Sequence, residues 1–378
     1  MKRARPRKPE ALSTVVVVGL GNIGSQTVDA LGRIPGLKRV ILVDPDYYSE
    51  SNLASQRILR RDLNKAKVHV QARRLSEINP GLEVIPVLDS IANVPRGWLR
   101  GCVMLTALHS AAARRDACEA AWRMGATVVD GGVDPELGLG RVTVYAPAPD
   151  APCFECSLEE DDYQAMPVRH LCGADAIDDA EVTATNGSPS LGAFVGALAV
   201  IEVEKLLAGQ LKQSLAGRQL VVDLTHHNQY VTRLDRHSKC RCRFDHAIRD
   251  IQPLRGITER STLSEALRVL RKALSARGNV SLGVDGHEFA KALHCPGCGG
   301  AKELLALAER LPRKARLCGT CAGREMIAVG FKKLARINDS VVPSRLLRCS
   351  LRQAGVRAGD VLVAGDETRE GFFEVSHD

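Results

Sequence analysis

The feature that most constrains this 378-residue chain is a run of four valines followed at once by a glycine-rich turn. Residues 15–18 form an unbroken β-branched run, which is typical of a strand buried on both faces of a parallel sheet. Three glycines follow. Gly19 allows a tight turn, Gly21 lets the backbone approach a phosphate, and Gly24 lets the next helix pack closely. The pattern predicts a nucleotide-binding site.

A carboxylate supports that interpretation. After a predicted helix at residues 25–33 and a second strand at residues 40–43, Asp44 stands 20 residues beyond Gly24. At this spacing the dinucleotide fingerprint has the acidic residue that binds a ribose hydroxyl. In the alternative interpretation, the glycines serve only the turn from strand to helix, and Asp44 then has no role.

The segment after Asp44 differs from that of an ordinary nicotinamide-binding dehydrogenase. It contains three motifs, which read DPD at residues 44–46, SNLASQ at residues 51–56 and KAK at residues 65–67. In these motifs and their order the chain resembles the ubiquitin-activating-enzyme-like (ThiF/MoeB-type) adenylyltransferases, which carry Asp-x-Asp, Ser-Asn-Leu-x-Arg-Gln and Lys-x-Lys. The resemblance extends over residues 14–242.

The resemblance implies an enzyme that uses ATP and magnesium to adenylate the C-terminal carboxylate of a small ubiquitin-like or sulfur-carrier protein. By the family pattern, Asp44 would bind the ribose and Asp46 a magnesium ion. Asn52 and Lys67 would bind the triphosphate, with Gln56 beside them. These roles are chemically reasonable, because adenylation needs the protein mainly to position charges and to neutralise pyrophosphate. The resemblance also implies a homodimer and a conjugating-enzyme partner.

Two positions depart from the family pattern. Ser55 stands where the family has an arginine, and three arginines follow as substitutes for it: Arg57, Arg60 and Arg61. After the fourth predicted strand, His109 stands where the family has a magnesium-binding aspartate. A neutral imidazole is a poor magnesium ligand, because that ion prefers oxygen. The departures motivate a second hypothesis, a nucleotide-binding scaffold that has lost catalysis.

Strand and helix patterns alternate through the first 250 residues or so. Further strands are predicted at residues 82–87, 103–107 and 127–129, with helices at residues 67–79 and 110–124. This alternation predicts an α/β fold with a doubly wound, Rossmann-like parallel sheet. We expect a basic N-terminal arm at residues 1–13, an adenylation domain at residues 14–249 and a smaller C-terminal zinc-binding domain at residues 250–378.

Four cysteines predict a structural zinc site that ties the returning chain onto the sheet. Cys153 and Cys156 have the two-residue gap of a zinc-binding pair, and Cys240 and Cys242 complete four thiolates. The family also has a two-residue gap in the second pair, so the single residue here is a departure, and His246 is a substitute for one thiolate. Four protein ligands leave no open coordination position, so we expect no catalytic role. Free buried cysteines are the alternative.

An acidic stretch at residues 157–185 separates these two pairs. It matches the family's crossover loop, which passes over the adenylate and in several members holds the cysteine that accepts the acyl group. Cys172 is the only cysteine in this stretch and would have that role. The alternative is a solvated acidic loop with an incidental thiol.

The sequence after the acidic stretch, to residue 209, resembles the family's long helix. Gly192, Gly196 and Ala199 give this helix a face of small residues for close packing. In the family the region supports dimerisation. A helix that only contributes to the core is the alternative.

The sharpest metal signal lies in the C-terminal region, beyond the family resemblance. Cys295 and Cys298 are followed, after 19 residues, by Cys318 and Cys321. This spacing predicts a four-thiolate zinc module, which binds a partner or stabilises a small domain. Leucines between the two pairs predict a helix across the metal-binding turns. Basic residues nearby permit nucleic-acid contact, but no aromatic residues are interleaved, so we interpret them as a solvated surface.

Composition narrows the class further. The net charge of +8 suits anionic ligands without requiring nucleic acid. The basic N-terminus lacks the apolar core of a signal peptide, and the longest apolar run, residues 191–201, is too short to span a bilayer. Eight of the 12 cysteines fall in four short pairs, as expected for metal ligands in a reducing compartment. We therefore expect a cytoplasmic protein without a membrane partner.

Three functional hypotheses stay open. The leading one is ATP-dependent adenylation of a small carrier protein, followed by thioester formation on Cys172. The second is the scaffold without catalysis. The third is an NAD-dependent oxidoreductase, which leaves Asn52, Gln56 and Lys67 unexplained. A transfer RNA substrate is a further alternative that the basic residues support.

Overall fold

The computed structural model describes residues 13–165, 188–238, 240–242, 248, 250–276, 278–321, 323–329, 333–366 and 368–377. These residues form two compact units. The first comprises the described residues of 1–94, 99–166 and 182–247. The second comprises those of 95–98 and 248–378. The predicted sites at Cys172 and His246 lie outside the described residues.

The first unit alternates strands and helices. Its strands are β1 (Thr14–Val18), β2 (Arg39–Val43), β3 (Glu83–Val87), β4 (Val103–Thr106), β5 (Thr127–Asp134), β6 (Leu139–Tyr145), β7 (Arg218–Asp223) and β8 (Asn228–Arg233). Its helices are α1 (Gly24–Leu31), α2 (Lys67–Ile78), α3 (Ala111–Arg123), α4 (Glu160–Ala165) and α5 (Pro189–Leu207).

One eight-stranded sheet organises this unit, in the order β3-β2-β1-β4-β5-β6-β7-β8. The first five strands in this order are parallel, whereas β6, β7 and β8 each pair with their neighbour in the antiparallel direction. The predicted α/β fold with a Rossmann-like parallel sheet is therefore confirmed. The strand order reverses between β1 and β4, and the crevice at the carboxyl ends of such strands is where open α/β sheets bind ligands.

The valine run of β1 is fully buried, as the sequence predicts. Val15 and Val17 join one core cluster with Val28 of α1, Val68 of α2 and Val195 of α5. This core fixes α1 and α5 against the sheet and so sets the position of the turn between β1 and α1. Burial of each such valine stabilises the fold by about 1.5–3 kcal/mol.

Helix α5 packs on α1 through its small residues. A Cβ atom on Gly192 would lie 2.2 Å from Oδ1 of Asn22, and one on Gly196 would lie 3.4 Å from the carbonyl oxygen of Ile23. The face of small residues is thus used inside this unit, as the core-helix alternative expects, and dimerisation stays a prediction. Among the described residues, no helix combines the length and the apolar character needed to cross a lipid bilayer.

The second unit is mainly β-structure. Its elements are β9 (Ile251–Leu254), α6 (Leu263–Ala273), β10 (Ser281–Val284), β11 (Phe289–His294), β12 (Ala301–Leu307), β13 (Lys333–Leu334), β14 (Val361–Gly365) and β15 (Glu370–Val375). They form one sheet in the order β10-β14-β15-β9 and another in the order β12-β11-β13. Helix α6 begins at a capping box, in which Thr262 and Glu265 exchange hydrogen bonds between side chain and backbone.

The predicted helix between the two C-terminal cysteine pairs is wrong. Residues 301–307 form β12, which pairs with β11, and only short 3₁₀ turns follow before Cys318. Leu305 and Leu307 are buried as strand residues beside β11. The first cysteine pair lies at the tip of the β11–β12 hairpin, and this strand pairing overrides the helical preference of the leucines.

Candidate functional site

The turn after β1 has the geometry that a bound phosphate requires. Gly19 has a φ of +88°, and a Cβ atom there would lie 2.5 Å from the carbonyl oxygen of Ala107. A Cβ atom on Gly24 would lie 1.9 Å from the carbonyl oxygen of Gly19, so neither position accepts a side chain. A Cβ atom on Gly21 meets no atom of the described residues within 4 Å. As far as the described residues extend, Gly21 therefore faces open space beside the amino end of α1, where anions bind favourably.

Asp44 is fixed against this turn. One carboxylate oxygen accepts the Leu20 N–H at 2.7 Å, and the other accepts the Asp46 N–H at 2.9 Å. Burial raises the pKa of the Asp44 carboxyl, while Lys67 and these two backbone donors act in the opposite direction. A carboxylate has about four acceptor positions, so this one keeps capacity for a ribose hydroxyl.

Lys67 and Asp46 meet at the amino end of α2. The backbone N–H of Lys67 donates to the carbonyl oxygen of Asp46 at 3.0 Å, beside a β-bridge between Tyr47 and Ala66. The side-chain amine of Lys67 lies 2.9 Å from a carboxylate oxygen of Asp46. A cation at the amino end of a helix opposes the helix dipole. The amine is therefore stabilised there by an anion, which is Asp46 in this structure.

Asn52 and Gln56 lie on the segment between these groups. Asn52 is buried, and its side-chain oxygen accepts the Ser49 N–H at 2.9 Å and the Ser49 hydroxyl at 3.2 Å. It shapes the loop rather than projecting freely from it. The side-chain oxygen of Gln56 is buried and has no hydrogen-bond partner among the described residues. A buried amide oxygen without a donor is costly, and a nucleotide hydroxyl or amine would supply the donor.

Arg57 points to α1. Its backbone N–H donates to the Ser25 hydroxyl at 3.0 Å, and its guanidinium donates to the Asp29 carboxylate at 2.8 Å. Arg74 also binds Asp29, and it is the main cause of the lowered pKa of that carboxyl. Asp29 is five residues beyond Gly24, which is about 7–8 Å along a helix. The catalytic role predicted for Arg57 would require this ion pair to open.

The carboxyl ends of β4 and β5 hold a charged network that the sequence interpretation missed. Asp130 is fully buried and accepts the Thr106 hydroxyl at 2.7 Å and an Arg141 N–H at 2.9 Å. The guanidinium of Arg114 lies 3.4 Å from the same carboxylate. His109 is exposed at the end of β4. Asp130 is thus neutralised by two arginines, and its position before two glycines at the end of a valine-rich strand was the signal that could have identified it.

The first predicted zinc site is assembled in part. Sγ of Cys153 lies 3.8 Å from Sγ of Cys156 and 3.5 Å from Sγ of Cys240, and these three sulfur atoms all lie within 4.8 Å of one another. Cys242 donates its backbone N–H to Sγ of Cys240 at 3.4 Å, and its thiol interacts with that of Cys153, although its sulfur does not lie within 4.8 Å of all three others. The cluster is compatible with zinc.

The second predicted zinc site is complete. The sulfur atoms of Cys295, Cys298, Cys318 and Cys321 all lie within 4.8 Å of one another. Backbone N–H groups of the first pair's turn, from Cys298 foremost, lower the pKa of the Cys295 thiol to about 6. Four thiols in this arrangement suit tetrahedral zinc and leave no open position for a substrate.

Comparisons with known proteins identify short similar segments. The tRNA threonylcarbamoyladenosine dehydratase of Bacillus subtilis (strain 168) is 39% identical over 74 residues, and that of Escherichia coli (strain K12) is 36% identical over 78 residues. The matched segments cover 19% and 20% of this chain. They span 29% of each relative, so less than a third of either protein is matched.

Similar solved structures cover more of the chain at lower identity. The crystal structure of E. coli MccB with ATP has a TM-score of 0.49 and 18% identity, and the match covers 61% of this chain and 66% of MccB. The crystal structure of PaaA has a TM-score of 0.44 and 17% identity, covering 59% of this chain and 64% of PaaA.

The family assignment rests on the sequence pattern of the ThiF family. That pattern matches residues 10–243, which is more than half of this 378-residue chain. The match includes the glycine turn, the DPD motif and the first cysteine cluster. This chain belongs to the ThiF family.

Proposed function

We propose that this chain catalyses the ATP-dependent adenylation of a carboxylate. The observation that carries the proposal is the pair formed by Lys67 and Asp46. A lysine side chain that is 9% exposed and an aspartate side chain that is 58% exposed meet 2.9 Å apart at a helix amino end. A buried amine that faces an exposed carboxylate suits a triphosphate with a metal ion, because the lysine binds phosphate oxygens and the carboxylate binds the cation.

The chain's own residues would divide the work of binding ATP. The turn at Gly21 would receive phosphate oxygens, and Asp44 would hold the ribose. Asp46 would bind magnesium, which when present neutralises charge on the triphosphate. In the reaction, an oxygen of the carboxylate forms a bond to the α-phosphorus, and the bond from that phosphorus to pyrophosphate breaks. Lys67 would stabilise the negative charge that leaves with pyrophosphate.

We infer that the carboxylate is the C terminus of a small ubiquitin-like or sulfur-carrier protein. The support is the family membership of residues 10–243 together with the cysteine cluster beside the sheet. The sulfur of Cys172 would then bond to the acyl carbon of the adenylate, forming a thioester as the bond to AMP breaks and AMP leaves. A conjugating enzyme and a second copy of this chain would be partners in the cytoplasm. A carboxylate on transfer RNA is the competing substrate, motivated by the names of the two dehydratase relatives.

A specific observation also favours a second candidate, a scaffold with weakened catalysis. Ser55 is buried where the family pattern has an arginine. Arg57, the nearest replacement, is bound to Asp29, and His109 stands exposed where the pattern has a metal-binding aspartate. These groups leave fewer charges to stabilise the departing pyrophosphate.

Exchange of labelled pyrophosphate into ATP separates these candidates. The protein would be supplied with small carrier proteins whose genes neighbour its own, each with a free or an amidated C terminus, and in parallel with transfer RNA. We expect exchange with a free C terminus alone. Exchange with transfer RNA instead would replace the carrier substrate. Absence of exchange with every substrate despite ATP binding would favour the scaffold, and His109→Asp should then restore exchange.

A further inference from the structure

Tyr48 is buried beneath the candidate nucleotide site and has no role in the motifs of the family pattern. Its residue exposure is 1%, and its hydroxyl donates to the carbonyl oxygen of Leu20, in the glycine turn, at 3.2 Å. Gln71 of α2 is fully buried and donates to the same hydroxyl at 2.8 Å. A phenol has a single O–H donor, and the Gln71 amide occupies one of its acceptor positions. The Tyr48 proton is therefore directed at the turn.

Leu20, the residue before Gly21, therefore has both its backbone N–H and its backbone carbonyl bound by side chains. The N–H of Leu20 donates to Asp44, and its carbonyl oxygen accepts from Tyr48. In a trans peptide, the carbonyl of one residue and the N–H of the next point in opposite directions. Tyr48 holds the Leu20 carbonyl inward, so the N–H of Gly21 points outward. That N–H has no acceptor among the described residues.

We propose that Tyr48 is a positioning residue that aims the Gly21 amide at a phosphate of the bound nucleotide. This inference rests on the proposed function, because it assumes a nucleotide with phosphates at the turn. The position agrees with the open space that adjoins Gly21. Tyr48 also lies beside Lys67, whose amine is 5.9 Å from the centre of the Tyr48 ring. The buried Tyr48 side chain thus lies beside both groups that would face the phosphates, the glycine turn and the Lys67 amine.

The test compares Tyr48→Phe with Tyr47→Phe in the full-length protein. Tyr47 is the neighbouring residue and is 57% exposed, so its variant removes the same hydroxyl from an exposed position. Affinities for ADP and for adenosine would be measured by competition with a fluorescent ATP analogue. Loss of one directed hydrogen bond predicts that Tyr48→Phe weakens ADP binding by about 3- to 10-fold. Adenosine binding should change by less than about twofold.

The possible outcomes test the role of Tyr48 separately from the proposed nucleotide binding. Wild-type protein that binds no ATP contradicts the proposed function, and the inference with it. Wild-type binding with equal ADP affinities in the two variants overturns the inference alone. Equal losses of ADP and adenosine affinity in Tyr48→Phe also overturn it, because they indicate general loosening. If Tyr48→Phe fails to fold, Gln71→Leu carries the same comparison, with a smaller selective loss of ADP binding expected.

Discussion

The amine of Lys67 lies 2.9 Å from a carboxylate oxygen of Asp46, and the two side chains differ sharply in exposure. The lysine is nearly enclosed by the protein, whereas more than half of the aspartate side chain faces solvent. Because it faces solvent, Asp46 can exchange the lysine for a metal ion at little cost in desolvation. The Lys67 amine would then be free to bind a phosphate oxygen, while the residue keeps its position at the start of α2.

Substitution of Asp46 should therefore change how ATP binding depends on magnesium. In wild-type protein we expect magnesium to strengthen ATP binding, because Asp46 supplies a metal ligand. In Asp46→Asn that gain should fall by about tenfold, while metal-free ATP binding persists. Calorimetry with and without magnesium measures the magnesium effect and the metal-free affinity for ATP. The control is Glu50→Gln, which removes an exposed carboxylate on the same loop. An unchanged magnesium effect in Asp46→Asn would remove this residue from the metal site.

Purified protein should contain two zinc ions per chain, one in each cysteine cluster. Cys318→Ser should lose one equivalent and destabilise the second unit, whereas Cys349→Ser should lose none, because Cys349 belongs to neither cluster. Elemental analysis of protein purified without chelators decides the count. One equivalent in the wild type would eliminate the first site, and none would eliminate both.

The two sites should differ in affinity. In the first cluster three sulfur atoms lie within 4.8 Å of one another and that of Cys242 is not within this distance of all three, whereas in the second cluster all four meet this distance. A zinc site with fewer thiolates in place has to reorganise its ligands on binding and holds the metal less tightly. Titration with a chelator should therefore release zinc from Cys153 and its partners first. Earlier loss from the Cys295 cluster would contradict this order.

Stability of the second unit should depend on pH through His287. The His287 side chain is 1% exposed and lies 3.5 Å from a carboxylate oxygen of Glu309. Burial lowers the pKa of His287 below its usual 6.5, and the neighbouring Arg310 and Arg96 lower it further, while Glu309 and Asp360 oppose them. Below 6.5 the unfolded chain binds this proton more strongly than the folded unit, so stability falls as the pH decreases.

Thermal unfolding of wild type and His287→Leu at a series of pH values tests this dependence. Between about pH 7.5 and pH 5.5 the wild-type melting temperature should decrease more than that of the variant. His377→Gln, which removes an exposed histidine of the same unit, should follow the wild type. Since both cysteine clusters are intact in all three proteins, acid release of zinc affects them equally. Parallel curves for wild type and His287→Leu would refute the assignment.

Cys172 should form a thioester after adenylation. A thiol reacts only as its thiolate. The neighbouring Arg169 and His170 favour that anion, while the surrounding carboxylates oppose it until substrate arrives. With the cognate carrier and ATP, we expect an adduct that survives denaturation and is released by a reducing thiol.

Variants separate this thioester from the adenylation step that precedes it. Cys172→Ser should abolish the adduct and leave pyrophosphate exchange intact, whereas Cys349→Ser should retain both. An undiminished adduct in Cys172→Ser would end the proposal.

Local sequence patterns predicted the parts of the site that depend on local geometry. Gly19 is required by its φ of +88°, and Gly24 by its close approach to the carbonyl oxygen of Gly19, so their spacing alone indicates the structure. The four C-terminal cysteines likewise follow from the geometry of two short turns. Asp44 was predictable because one strand and one helix fix its distance from the turn.

The features that the sequence did not reveal depend on how separate elements pair with one another. Asp130 meets Arg141 through the register of β5 and β6, and it meets Arg114 from α3, and no local pattern encodes this combination. The ion pair of Arg57 with Asp29 joins a loop to a helix 28 positions earlier in the chain. The local pattern of the leucines before Cys318 predicted a helix, but pairing with β11 places residues 301–307 in a strand. The position of Cys242 also depends on how the returning chain meets the sheet.

We propose that Asp44, Asp46 and Lys67 form a site for ATP with magnesium rather than for NAD. Calorimetric titration of the full-length protein with each nucleotide tests it most directly. Lys67→Met is the informative variant, and Lys65→Met, which removes an exposed amine two positions earlier, is its control. We predict tighter binding of ATP with magnesium than of NAD, with a loss of about 10- to 100-fold in Lys67→Met and little change in Lys65→Met. Tighter binding of NAD, or ATP binding that Lys67→Met leaves intact, would contradict the account.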